Sequence, residues 1–226
     1  MQPWLKPPVT PLILDDAGTV AHVWWKGGAL ADLKGNVWTM NGTVPQIAKA
    51  GRTPAGAGPL SDANYYSLGT GSDVLDLAEF TLTLVVEPPA AFTVQECPFS
   101  NGQNAVGGYY VQVASTVTKT VAMATYSGSL VGIATGNGLL SGVNALTVGR
   151  AAGTSYIKLN GGTTASVVAA MAAGTGVVAR LGRYAGVNLP WSGKVYELAG
   201  TSTPFNEAAA AAIHSRVRSK TGVTAW

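Results

Sequence analysis

A single helix pattern follows a long series of strand patterns, and this order limits what the chain can fold into. For most of its length the apolar residues recur at strand spacing, with turn residues at intervals of about eight to twelve positions. A helix is predicted over 206–220, because Asn206 is a good N-cap residue and Glu207 suits the positive end of a helix. The order predicts an all-β protein that ends in one short helix.

The clearest strand is the segment 79–88. Phe80, Leu82, Leu84 and Val86 alternate with mostly polar residues, which is typical of a strand with one face in a core. Further strands are predicted at 20–25, 64–68, 108–115, 119–126, 144–150, 155–162, 177–184 and 193–200. Their number and spacing indicate one antiparallel β-sandwich.

Composition and prolines suggest how the chain is organised. Charged residues make up 11% of the chain, against about 25% in an ordinary soluble domain. Such a composition suits a protein packed against neighbours in an assembly, and it is equally explained by the bias of a GC-rich genome. Four prolines within 1–18 predict an extended N-terminal arm before a single domain at 19–226. The arm either lies across a neighbouring subunit or is a frayed terminus.

Charge and hydropathy argue against several classes of partner. The formal charge is only +3, and the basic residues Arg216, Arg218 and Lys220 fall where they complement the C-terminal end of a helix. No nucleic-acid partner is therefore predicted. The uncharged span 159–179 contains turn residues and small residues, so it is not predicted to cross a membrane. The first residues lack the pattern of a secretory signal peptide, which predicts synthesis in the cytoplasm.

Several short motifs occur in an order that resembles the concanavalin A-like jelly roll in its laminin-G-like form. They are VAHVWWKGGALADLKGNVWTMNGT at 20–43, the strand from Phe80 to Pro88, the Tyr156–Gly161 turn, the Ala179–Arg183 strand, the Trp191-Ser192-Gly193 strand opener and the closing helix. The resemblance covers roughly residues 20–220. It implies an antiparallel jelly-roll β-sandwich with one short C-terminal helix, and it assigns Trp191 to packing.

The sequence lacks the motifs of enzymes that use this fold. Some glucanases share the jelly roll, and their active site resembles E-x-D-x-E on one strand. None of the eleven acidic residues forms that pattern. The two histidines, His22 and His214, lie far apart, no nucleophile elbow is present, and Cys97 is the one cysteine. The protein is therefore predicted not to be an enzyme.

Calcium is the one cofactor that the resemblance makes worth considering. Laminin-G-like domains often bind calcium through loop carboxylates and carbonyl oxygens. Asp73 and Asp76, in GSDVLDLAEF, are candidates for such a site. The alternative is that they are ordinary solvent-exposed acidic residues in the loop before a strand. No other cofactor is predicted.

Adjacent aromatic residues are the candidates for ligand or partner contacts. In Trp24-Trp25, Tyr65-Tyr66 and Tyr109-Tyr110 the two rings must point to opposite faces of a sheet. One ring of each pair is expected in the core and the other on an outer surface. The candidates for outward contacts are Trp24, Tyr66 and Tyr110, which would meet a glycan, a neighbouring subunit or the N-terminal arm.

Two kinds of function agree with these observations. The first is a structural protein of a bacteriophage virion, such as a capsid decoration or tail-associated protein, with itself or other virion proteins as partners. GRTPAGAGPLSDANYYSL at 51–68 resembles laminin-G-like modules of phage and prophage proteins, and the expected location is the virion. The alternative is a carbohydrate-binding, lectin-like module that mediates attachment to surface glycans.

Overall fold

The computed structural model describes residues 21–69, 78–91, 94–103, 105–114, 119–174, 178–186, 189–224 and 226. These residues form fifteen strands and one helix. The strands are β1 Ala21–Lys26, β2 Thr39–Asn41, β3 Gln46–Ile47, β4 Gly56–Ala57, β5 Tyr65–Leu68, β6 Phe80–Glu87, β7 Glu96–Gln103, β8 Gly107–Val113, β9 Thr120–Ser127, β10 Leu130–Gly138, β11 Asn144–Ala151, β12 Thr154–Leu159, β13 Ala165–Val168, β14 Ala179–Leu181 and β15 Lys194–Thr201, and the helix α1 is Glu207–Thr221. The predicted all-β class with one C-terminal helix is confirmed. The predicted arm 1–18 lies outside the described residues.

The strands form two antiparallel sheets. Sheet I has the order β13-β12-β11-β6-β15-β4-β3, and β1 also pairs with β15. Sheet II has the order β10-β9-β8-β7-β14-β5-β2. The predicted hairpins β8–β9 and β11–β12 are both present. Some strands that are neighbours in a sheet lie far apart in the sequence: β6, for example, lies between β11 and β15. Such long connections between paired strands are typical of a jelly-roll sandwich.

The core fills the space between the inner faces of the two sheets. On β6 the predicted apolar face, which includes Phe80 and Leu82, packs into this core. The Phe80 ring stacks on Tyr109 of the opposite sheet with ring centroids 4.4 Å apart. Trp191 is fully buried in the same core, as predicted. Each large side chain buried in this way contributes about 1.5–3 kcal/mol, so the inner faces hold the sheets together.

Helix α1 covers part of the outer face of sheet I. Asn206 is its N-cap as predicted, since the side chain accepts a hydrogen bond from the Ala209 amide at 2.9 Å. Val85, which breaks the alternation on β6, is fully buried in a second apolar cluster together with Val217 of the helix. Among the described residues, no helix has the length and apolar character needed to span a membrane. Helix α1 therefore buries outward side chains of sheet I beneath it.

Candidate binding site

Trp24 was expected at the surface, and the structure corrects this expectation. Trp24 and Trp25 point to opposite faces of β1, as predicted, but neither ring is exposed. Trp25 packs between the sheets, while Trp24 lies in the cluster beneath α1 and its Nε1 donates a hydrogen bond to Glu197 Oε1 at 2.8 Å. The outer ring is buried because the helix covers this part of sheet I, so Trp24 is not available to a ligand.

The rings of Tyr65 and Tyr66 also point to opposite faces of the sheet. The prediction that Tyr66 is the outward ring is wrong, however. Tyr66 points into the core, is fully buried and packs against Trp25 with ring centroids 5.2 Å apart. Its hydroxyl oxygen accepts a hydrogen bond from Gln46 Nε2 at 2.8 Å. Tyr66 and Leu68 share the inner face of β5, so the ring that points outward and is half-buried is Tyr65.

Tyr110 faces outward on β8 as predicted, but other rings cover it. It stacks on Tyr126 and on Tyr184, with centroid distances of 5.6 and 4.5 Å, and only 7% of the residue is exposed. The hydroxyl donates a hydrogen bond to Gln112 Oε1 at 2.7 Å. Burial raises the pKa of Tyr110, so the hydroxyl stays protonated at neutral pH. Tyr110 is thus part of a closed aromatic cluster and offers no free ring face, which corrects the prediction.

Two arginines gather around the outward ring of Tyr65. The guanidinium carbons of Arg180 and Arg183 lie 5.8 and 5.2 Å from the Tyr65 ring centroid, within the range of cation–π attraction. Asp62, just before β5, forms an ion pair with Arg183, with Nε and Oδ1 3.6 Å apart. We refer to Tyr65, Arg180, Arg183 and Asp62 as the Tyr65 site.

The sequence Ala-Arg-Leu-Gly-Arg places both arginines on the outer face of sheet II. Ala179 and Leu181 are buried in the core, so the intervening Arg180 must point outward. Gly182 follows with φ of 92°, a left-handed conformation that suits glycine and ends the strand. Its Cα approaches the side chain of Leu60 so closely that a Cβ would lie 2.3 Å from Leu60 Cδ1.

Arg180 and Arg183 are held in place by carbonyl oxygens. Arg180 Nη1 donates to the carbonyls of Tyr184 and Ala185, at 3.3 and 3.0 Å. Arg183 Nη1 donates to the carbonyl of Asp62 at 3.1 Å. These bonds restrict both side chains before any ligand arrives, which reduces the entropy that binding must overcome.

Uncharged polar groups extend the site across the sheet. Thr39, Ser67, Arg180 and Ser100 face one another in register across β2, β5, β14 and β7. The amide nitrogen of Asn41, which pairs with Tyr65, donates to Ser67 Oγ at 3.0 Å. Ser100 is fully buried and its hydroxyl donates to the carbonyl of Arg183 at 2.9 Å, so the accessible polar groups near Tyr65 are those of Thr39, Asn41 and Ser67.

Two groups that could do acid–base or nucleophilic chemistry, the carboxylate of Glu96 and the thiol of Cys97, are buried. The carboxylate of Glu96 is buried and accepts hydrogen bonds from the amide and hydroxyl of Ser192, at 2.8 and 2.6 Å. Cys97 is fully buried, and burial raises the pKa of its thiol well above the usual value. Within the described ranges, no three His, Cys, Asp or Glu residues come close enough together to hold a metal ion. The calcium candidates Asp73 and Asp76 lie outside the described residues.

Comparison with solved structures identifies the fold class: the chain is an antiparallel β-sandwich of the jelly-roll type. Similar structures include the binding domain of botulinum neurotoxin DC in complex with SialylT (TM-score 0.67, 7% identity) and the receptor-binding domain of botulinum neurotoxin type G (0.66, 9%). A third is domain 4 of a GH43 extracellular arabinanase from Geobacillus stearothermophilus, in complex with arabinotriose (0.62, 14%). No family model and no curated protein matches the chain.

The coverage of these matches differs between the two kinds of neighbour. The match to the neurotoxin DC domain covers 89% of this chain and 52% of that domain. The match to the type G domain covers 87% of this chain and 51% of that domain. The chain thus spans about half the length of the neurotoxin domains. It covers nearly the whole arabinanase domain, since 86% of this chain matches 98% of that one. At these identities the likeness establishes the fold.

Proposed function

We propose that this protein is a non-catalytic, lectin-like binding module that recognises a glycan at the Tyr65 site. The observation that carries the proposal is the half-buried Tyr65 ring on the outer face of sheet II, with two arginines and Asp62 around it. Sugars combine apolar C–H faces with hydroxyl groups, so a ring beside fixed donors and acceptors suits them. The site is well supplied with polar groups.

The ligands of the solved neighbours support this proposal. One neurotoxin binding domain is in complex with SialylT, cell entry of botulinum neurotoxin type C depends on interaction with two ganglioside molecules, and the arabinanase domain is in complex with arabinotriose. A further neurotoxin domain is in complex with rat synaptotagmin II, so the fold also serves protein recognition. Glycan binding is favoured for this chain because of the chemistry around Tyr65.

A glycan array with matched variants tests the proposal. Tyr65→Ala removes the ring from the site, whereas Tyr156→Ala removes a similarly half-buried ring on sheet I that stacks on Phe205. We expect the native protein and Tyr156→Ala to bind the same glycans and Tyr65→Ala to bind none. Circular dichroism checks that both variants fold. Undiminished binding by Tyr65→Ala, or no glycan bound by the native protein, would refute the proposal.

We also propose, as a second role, that the protein is a structural component of a bacteriophage virion that contacts copies of itself or other virion proteins. Its low charge supports this role, as do four exposed apolar side chains within 30–40: Leu30, Leu33, Val37 and Met40, the last in the edge strand β2. Antibody labelling of purified virions should place the protein on the particle. An unlabelled particle would contradict this role and leave glycan binding unaffected.

A further inference from the structure

The arginines of the Tyr65 site retain donors that no residue in the described part of the chain satisfies. Arg180 Nε and Arg183 Nε are buried, and neither has a hydrogen-bond partner within the described residues. Arg183 Nε lies 3.6 Å from Asp62 Oδ1, which is an ion-pair distance but too long for a good hydrogen bond. Asp62 Oδ1 is buried without a hydrogen-bond partner as well, whereas Arg180 forms no ion pair within the described residues. A buried donor without a partner is costly, so Arg180 Nε in particular favours a ligand rich in acceptors.

The charges of the site are unbalanced by one unit. Two arginines and one aspartate sum to +1, and the side chains that share the outer face with them, Thr39, Asn41, Ser67 and Ser100, are uncharged. Asp62 is paired with Arg183, so the excess positive charge lies on the Arg180 side of the ring. A ligand with a single negative charge would neutralise the site.

A carboxylate has the geometry that these donors require. A guanidinium group has Nε and one Nη along one edge, and this planar pair matches the two oxygens of a carboxylate. Because Nε of both arginines is buried, a carboxylate would reach this edge after a small movement of the side chain. A neutral sugar would offer hydroxyl oxygens to the same donors but would leave the charge uncompensated. The Tyr65 ring would at the same time pack against the apolar face of the sugar.

We infer that the ligand of the Tyr65 site is an acidic sugar, whose carboxylate binds Arg180 and Arg183 while its ring packs on Tyr65. This inference rests on the proposed function, because it names the class of glycan bound at the same site. The hydroxyl groups of Thr39 and Ser67, which lie beside Arg180 on the same face, would contact the rest of the sugar. A single carboxylate distinguishes this ligand from polysulfated glycans, which carry many charges.

The test compares an acidic oligosaccharide with the same oligosaccharide after its carboxyl group is reduced to an alcohol. Isothermal titration calorimetry should show that reduction weakens binding about tenfold or more, as expected for a charge-assisted hydrogen bond. Arg180→Gln should bind both forms with the same weak affinity. Arg180→Lys keeps the charge without the planar donor pair, and should also lose most of the preference. Arg218→Gln, which removes an exposed cation from α1, is the control and should behave as the native protein.

The outcomes separate this inference from the proposed function. Equal binding of both forms, lost in Tyr65→Ala, would overturn the acidic-sugar inference and leave glycan binding in place. Tighter binding of a sulfated analogue than of the carboxylate would overturn the inference in the same way. No binding of any glycan would overturn both. If Arg180→Gln fails to fold, the comparison of Arg180→Lys with Arg218→Gln still decides the point.

Discussion

The histidine that connects α1 to sheet I should make the stability of the protein depend on pH. His214 is 1% exposed, and its Nδ1 accepts a hydrogen bond from the Gly161 amide at 2.8 Å. Its Nε2 lies 2.9 Å from Thr147 Oγ1. An amide N–H can only donate, so Nδ1 carries no proton in the native protein. Burial and, to a smaller extent, the charge of Lys158 lower the pKa of His214 to about 4.

The sign and size of the effect follow from linkage between protonation and folding. Below pH 6.5 the unfolded chain takes up a proton at His214, whereas the native protein does so only near pH 4. The unfolded state thus binds more protons in this interval, and the free energy of unfolding falls as the pH falls. With these two pKa values, the loss between pH 7.5 and pH 5 is about 2 kcal/mol. Above pH 7.5 this histidine adds no further pH dependence.

Urea unfolding followed by tryptophan fluorescence at several pH values measures this loss. His214→Gln removes the titrating group, so the difference in unfolding free energy between native protein and variant isolates His214 from the carboxylates. We expect that difference to shrink by about 2 kcal/mol between pH 7.5 and pH 5. His22→Gln changes the other histidine and should leave the His214 contribution in place. A difference for His214→Gln that stays constant within about 0.5 kcal/mol would refute the reasoning.

Three further substitutions test the packing of Trp24, the N-cap of α1 and the close contact between Gly182 and Leu60, and urea unfolding measures each of them. Trp24→Ala should cost about 3–5 kcal/mol, because this ring is fully buried beneath α1; a loss below about 1 kcal/mol would contradict its place in the core. Asn206→Ala should cost about 1 kcal/mol through loss of the N-cap, and unchanged stability would argue against that cap. Gly182→Ala, which brings a Cβ to 2.3 Å from Leu60 Cδ1, should lower the free energy of unfolding more than Gly153→Ala does. At Gly153 φ is also positive, but nothing lies within 4 Å of the added Cβ. Equal losses of stability in the two variants would exclude the clash with Leu60.

The sequence predicted the elements whose local pattern agrees with their final environment. Strand β6 alternates clearly, and α1 has a cap, a run of alanines and a glycine at its end, so both were predicted within a residue or two. Strand β7 was missed, because ECPFSNGQ contains Pro98 and Gly102 and shows no alternation. It forms between β8 and β14 through pairing with distant segments, which no local pattern reports.

The candidate site was predicted in its chemistry but not in its residues. Aromatic pairs do split between the faces of a sheet, yet the outer members Trp24 and Tyr110 are covered by α1 and by other tyrosines. Those contacts depend on tertiary packing. For Tyr65-Tyr66 a local signal existed: Leu68 lies two residues after Tyr66, so these two share the inner face and Tyr65 must face outward.

Because α1 lies over sheet I, the two sides of the molecule are unequal. The C-terminal Trp226 is on the helix side, where its Nε1 donates to the carbonyl of Val143 at 3.2 Å. A molecule tethered through that terminus would direct the Tyr65 site away from its support. Many copies attached in this way would present their sites together, and such multivalency raises weak single-site binding by about a hundredfold to ten-thousandfold. If the Tyr65 site binds glycans as proposed, a tether on the helix side would therefore favour avidity.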